Sequence, residues 1–199
     1  MNLRKFTIAL AACCTMLPAF AADEPETPRK YVDARELRII NKAFNDTERF
    51  YSRLPRDIKD SIAPGRDLWD RQQCSTGIGI RFATNSKKIG IKYELFWDTH
   101  MIHMADTGLK GTDLYIFEGD SVWRHVNTNR PYVKKDKDGN KTKMVESTYV
   151  ERLDGKMHEY MIYPPLYPGA QPELHAALHR RATTNPPPTQ HTDTTHTLA

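Results

Sequence analysis

Long apolar runs, cysteine and charge imbalance are all scarce in this sequence, and each scarcity closes off a class of protein. The longest charge-free apolar stretch, Phe6 to Leu17, falls short of the ~20 residues a membrane-spanning helix needs. Of 3 cysteines, Cys13 and Cys14 lie inside that stretch, so downstream of it Cys74 stands alone and no internal disulfide can form. With no base beside it in sequence, Cys74 reads as a small buried apolar residue and not as a nucleophile. Lysine and arginine number 29 against 25 acidic residues, a formal net charge of +4 that falls to +2 without Arg4 and Lys5. So even a balance offers no electrostatic case for a nucleic-acid partner. Alanine and leucine are modest, which argues against a helical bundle.

What is present points to export and to β-structure. Arg4 and Lys5 precede the apolar stretch, and Ala19-Phe20-Ala21 supplies the small-x-small pattern of a signal-peptidase site. Residues 1–22 therefore read as a secretory signal peptide, cleaved after Ala21 or Ala22. Leu10-Ala11-Ala12-Cys13 also fits a lipobox, in which Cys13 would carry a lipid anchor. Both readings take the chain out of the cytoplasm, to the periplasm or the exterior. A Pro/Glu/Thr-containing linker and lead-in follows over residues 23–49. Leu37, Ile40 and Phe44 sit at helix-compatible spacing there, which makes a short helix or an irregular lead-in the expectation.

From Cys74 to Tyr167 the apolar period is two. Ile78, Ile80 and Phe82 alternate with Gly79, Arg81 and Ala83; Ile89, Ile91, Tyr93 and Leu95 alternate with Gly90, Lys92 and Glu94. Asn85-Ser86-Lys87 between them reads as a hairpin turn. A second hairpin runs from Leu114 to Val126 around Gly119-Asp120-Ser121. A third flanks Asp138-Gly139-Asn140, its lysines forming a solvated arm. A last strand spans Met157 to Tyr163. Hairpins with one apolar face must pack on a second sheet, so the expected fold is an all-β antiparallel sandwich, jelly-roll-like, with the lead-in at its N-terminus.

Two constellations invite a catalytic or metal reading. Gly119-Asp120-Ser121 and Asp193-Thr194-Thr195-His196 follow the order of a hydrolase triad. However, Ser121 is followed by an alternating strand and not by the helix whose N-terminus would help stabilise an oxyanion. His100 and His103 have a metal-ligand spacing but no clear third ligand, and read as loop histidines held by backbone hydrogen bonds. No metal and no cofactor is expected. Asp113, entering a strand beside Gly111, can accept backbone N–H bonds from the preceding turn, with Tyr115 on the same face. A structural role is favoured for it over ligand contact. Trp97, Trp123 and Tyr132 could stack on sugar rings, though each suits edge packing as well.

Several motifs together resemble a known family. They are Ser75-Thr76-Gly77, Ile80-Arg81-Phe82, Thr84-Asn85-Ser86, Met101-Ile102-His103-Met104, Thr107-Gly108, Gly111-Thr112-Asp113-Leu114-Tyr115 and Asn129-Arg130-Pro131. Over residues 50–168 the chain is similar to the G-x-D-L-Y domain that precedes the catalytic domain of SGNH (GDSL-like) esterases. The resemblance implies a non-catalytic sandwich packed beside a hydrolase acting on ester groups, those of acylated glycans, in an exported bacterial enzyme. It makes Trp97, His100, His103, Asp113 and Tyr115 candidates for substrate contact or for the face toward the SGNH domain. Residues 169–199, rich in Pro, Thr and His without apolar period, read as a disordered tail, with a frameshift or truncation before the catalytic domain as its explanation. The alternative class is a free-standing carbohydrate-binding module.

Overall fold

The computed structural model describes residues 30–62, 67–98, 100–119, 121–167, 175–178 and 182–183. The strands are β1 (Lys30–Asp33), β2 (Arg38–Ile40), β3 (Gly79–Thr84), β4 (Ile89–Glu94), β5 (Asp113–Glu118), β6 (Val122–Thr128), β7 (Val133–Lys135), β8 (Lys141–Val150), β9 (His158–Tyr163), β10 (His175–Leu178) and β11 (Ala182–Thr183). Two one-turn α-helices interrupt them, α1 (Leu68–Gln72) and α2 (Asp106–Lys110). All pairings are antiparallel. One sheet has the order β1-β10-β4-β8-β7; the other has β11-β3-β9-β5-β6, with β2 beside the first half of β3 on the edge that β11 also uses.

The period-two pattern sets the inner faces. Ile80 and Phe82 of β3, Ile89, Ile91 and Tyr93 of β4, Leu114 of β5 and Ile162 of β9 have no exposed surface and meet between the sheets. Phe82 stacks on Tyr160 at a centroid separation of 5.8 Å. At roughly 25 cal/mol per Å² of apolar area buried, this layer is the main stabilising term. The all-β sandwich is thus the observed fold. The β5–β6 and β7–β8 hairpins form as expected, the latter around Gly139 at φ 85°, with the Asp136 carboxylate accepting the amides of Asp138 and Asn140.

Two expectations need correction and a third gains detail. Asn85-Ser86-Lys87 does not close a hairpin: β3 pairs with β9, and β4 with β8 and β10, so this turn carries the chain from one sheet to the other. Alternation names the buried face of a strand but not the sheet it joins. The lead-in, expected as a short helix or irregular chain, is irregular over residues 41–50 and has no α-helix, but it also contributes strands that the sequence did not announce. It makes β1, a single 3-10 turn at Ala34–Glu36 and β2, with Leu37 buried and Phe44 exposed. Lastly, part of the segment expected to be disordered is ordered. β10 lies between β1 and β4, and β11 pairs with β3. Their unpaired backbone neighbours offer hydrogen bonds that outweigh the weak strand propensity of His-Ala-Ala-Leu. The expected signal peptide, the Cys13 lipobox, Asp193 and His196 lie outside the described residues. Among the described residues no helix is long and apolar enough to cross a membrane.

Candidate functional site

Helix α2 runs into Gly111 so tightly that only glycine fits. A Cβ there would lie 2.1 Å from the Thr107 carbonyl oxygen, which accepts the Gly111 amide at 3.1 Å. The next residue, Thr112, is fully buried, and Asn129 accepts both its amide (2.6 Å) and its hydroxyl (2.9 Å) through Oδ1. Asn129 Nδ2 donates to Tyr93 Oη at 3.1 Å, and that phenol donates to the Lys110 carbonyl at 2.7 Å; Tyr149 Oη bonds the Thr112 hydroxyl. A buried network with every member satisfied rigidifies what it holds. Here it ties the start of β5 to both sheets. Burial raises the pKa of the Tyr93 and Tyr149 phenols and keeps them neutral.

Asp113 follows, the first residue of β5, flanked in register by Thr128 of β6 and Tyr163 of β9. Its Oδ1 accepts the Thr128 hydroxyl at 2.5 Å and, among the described residues, no backbone amide, so the expected bonds from the preceding turn are not made; Asn129 serves that turn instead. His125 Nε2 lies 3.1 Å from Thr128 Oγ1 and 3.9 Å from Asp113 Oδ1. Since the hydroxyl proton goes to Asp113, His125 presents Nε2–H to the hydroxyl oxygen. Tyr115, on the same face as Asp113, meets the His125 ring edge-on at 5.3 Å and the Tyr163 ring at 5.7 Å. Burial, then the Asp113 charge, raises the Tyr115 pKa.

Beside these residues opens a cleft of ≈ 540 Å³. Thr76, Thr107 and Thr128 line it with hydroxyls, Gly77, Gly108 and Gly111 with bare backbone, and Tyr163, Pro164 and Leu166 with an apolar wall; among the described residues Asp113 is its one charged side chain. The wall is fastened from below: Ser75 Oγ donates to the Pro165 carbonyl at 2.8 Å, and Thr76 Oγ1 to that of Leu166. Neighbouring Cys74 is buried and its Sγ donates to the Tyr167 carbonyl, while burial pushes its thiol pKa up.

The structure thus brings Asp113 and Tyr115 together and leaves the other candidates apart from the cleft. Trp97 packs on Phe96 and lines a shallower depression of ≈ 210 Å³ with Arg71 and Tyr167. His100 Nδ1 bonds Asp106 Oδ1 at 2.9 Å, a side-chain partner where backbone was expected, and His103 sits exposed beside Ile102 on the turn closed by the Met101–Met104 bridge. Among the described residues no three His, Cys, Asp or Glu side chains gather as a metal site. Ser121 occupies the β5–β6 turn at φ 65°, exposed, with β6 beginning at the next residue. Sequence reasoning missed Thr128, His125 and Tyr163. The signal for Thr128 was present, since it directly precedes the Asn129-Arg130-Pro131 motif; His125 stands four residues before that motif and had none.

The fold is an antiparallel β-sandwich module with a carboxylate-bearing cleft beside the start of β5. The chain belongs to the G-x-D-L-Y family, the N-terminus of SGNH hydrolase-type esterases, whose model matches residues 29–175. That description is of the N-terminal part of these esterases and not of their catalytic domain. A GDSL-like lipase from Bacteroides ovatus ATCC 8483, solved by crystallography, shares the fold with a TM-score of 0.66 at 24% identity. The alignment covers 78% of this chain and 42% of that one, so the chain spans less than half the length of that protein. No curated protein matches the chain.

Proposed function

We propose that this chain is a non-catalytic accessory domain of an exported SGNH-type esterase, working beside the catalytic domain on acylated glycans. The observation that carries the reading is the setting of Ser121. The Gly-Asp-Ser serine lies on a hairpin turn that feeds a strand, whereas an SGNH-like nucleophile needs a turn that feeds a helix. What the domain offers instead is a cleft of hydroxyls, bare backbone and one carboxylate, suited to holding a ligand and not to attacking it. A free-standing carbohydrate-binding module is the second reading, favoured by the same cleft.

One mixing experiment tests this. The full chain alone turns over p-nitrophenyl acetate at background, unchanged in Ser121→Ala. Added to an SGNH catalytic domain prepared without its own N-terminal domain, it raises kcat/KM on an acetylated polysaccharide several-fold. Turnover by the chain alone that vanishes in Ser121→Ala would make it an esterase. No effect in the mixture would leave the binding-module reading in its place.

A further inference from the structure

The cleft beside Gly111 is selective by what lines it. Its volume of ≈ 540 Å³ falls inside the range of about 300–1,000 Å³ usual for small-molecule sites. An anionic ligand finds no cationic side chain among the described lining residues and meets the Asp113 carboxylate at close range. A hard divalent cation takes about six to eight oxygen ligands with carboxylates among them, and here one carboxylate stands among neutral hydroxyls. A wholly apolar ligand would strip water from Asp113 and return no hydrogen bond. The lining answers instead to a neutral ligand carrying hydroxyls on one side and C–H groups on the other.

The carboxylate is prepared for such a ligand. Thr128 occupies Oδ1 and holds the side chain in place, while Oδ2 has no donor among the described residues and the side chain remains 42% exposed. Hydrogen bonds from a hydroxyl to a carboxylate are charge-assisted and roughly twice as strong as neutral ones. Beside it, across from Asp113 in the β5–β9 register, Tyr163 and the following Pro164 present a ring and an apolar shelf.

We propose that the cleft is a saccharide site, in which Asp113 Oδ2 accepts hydroxyl hydrogen bonds and Tyr163 with Pro164 covers a C–H face of the sugar ring. The site rests on the accessory reading for its setting, since it gives the domain the task of holding substrate beside the enzyme.

Titration calorimetry of the full chain tests it, with methyl glycosides of glucose, xylose, galactose, mannose and N-acetylglucosamine and the tetrasaccharides of xylose and glucose as probes. At least one binds; inorganic phosphate and calcium do not. Two variants place the site. Asp113→Asn keeps an acceptor for Thr128 and removes the charge, weakening binding at least tenfold. Gly108→Leu fills the cleft and abolishes binding. Its Cβ would meet Met104 Cγ at 3.7 Å, an ordinary contact, and leucine is the better helix former within α2. Lys137→Ala, on the exposed β7–β8 turn, changes nothing. Thermal unfolding confirms that each variant folds. The saccharide site is overturned if no glycoside binds, if binding survives both variants, or if phosphate or calcium binds in place of sugar. A chain that stimulates a catalytic domain yet binds no glycoside sinks the site and leaves the accessory role standing. Binding lost in both variants, without stimulation, does the reverse.

Discussion

Gly111 shows how a single position can be dictated by its neighbours. Its backbone is not in the left-handed region; what excludes a side chain is the Thr107 carbonyl, which an added Cβ would meet at 2.1 Å, and the Asn129 carbonyl at 3.2 Å. Neither oxygen can retreat, because the first accepts the Gly111 amide and Asn129 is anchored by its bonds to Thr112 and Tyr93. Gly111→Ala is therefore expected to cost about 2–3 kcal/mol, seen as a lowered urea midpoint with unchanged slope. At this scale Asp113 and Tyr115 were legible, being two residues apart on one strand face. Tyr163, which completes the cleft wall, was not: nothing in a sequence shows that β9 lies beside β5 and pairs Tyr163 with Asp113.

Among the elements, the loop from Asp98 to Lys110 has its own electrostatic latch. Lys110 Nζ, only 6% exposed, donates to Asp98 at 2.6 Å and to Asp106 at 3.3 Å, and His100 bonds the other Asp106 oxygen. The His100 bond, reinforced by Lys110, holds the Asp106 carboxyl below the usual range despite partial desolvation. Burial alone would lower the Lys110 pKa, but the two carboxylates together outweigh it and the net shift is upward. The signs give opposite limbs. Asp106 contributes stability above the unfolded carboxylate pKa of about 3.9, lost as pH falls through its lower folded value. Lys110 contributes below the unfolded lysine value of about 10.4, lost as pH rises through its higher folded one. Asp106→Asn should lower Tm at neutral pH and converge with the parent near about pH 2, as followed by melting curves across pH. The His100–Asp106 pairing was open to sequence reasoning at a spacing of six, but only a turn that doubles the chain back makes those residues neighbours.

For the whole molecule the decisive element is β10. It fills the place between β1 and β4, and its Ala176 is fully buried in the core cluster. Without it β1 has no partner in its sheet and β4 gains an open edge, the condition in which strands recruit other chains. A chain ending at residue 168 should lose more than ~3 kcal/mol, or about 10 °C in Tm, and associate on size exclusion, while one ending at residue 183 keeps the parent's melting curve. Equal stability of the two would show β10 to be dispensable.

The linear chain carried enough to name the inner faces, the second and third hairpins, the all-β class and the motif at the cleft, because a strand's side chains alternate by local geometry and that alternation is written in order. It was silent on which sheet each strand joins, on β1, β2 and β10, and on the meeting of Asp113, Thr128 and Tyr163. Those depend on backbone pairing between distant segments, where every residue but proline offers the same donor and acceptor whatever its side chain. His-Ala-Ala-Leu is a strand because a gap between two edges must be filled, and its own residues show little sign of it.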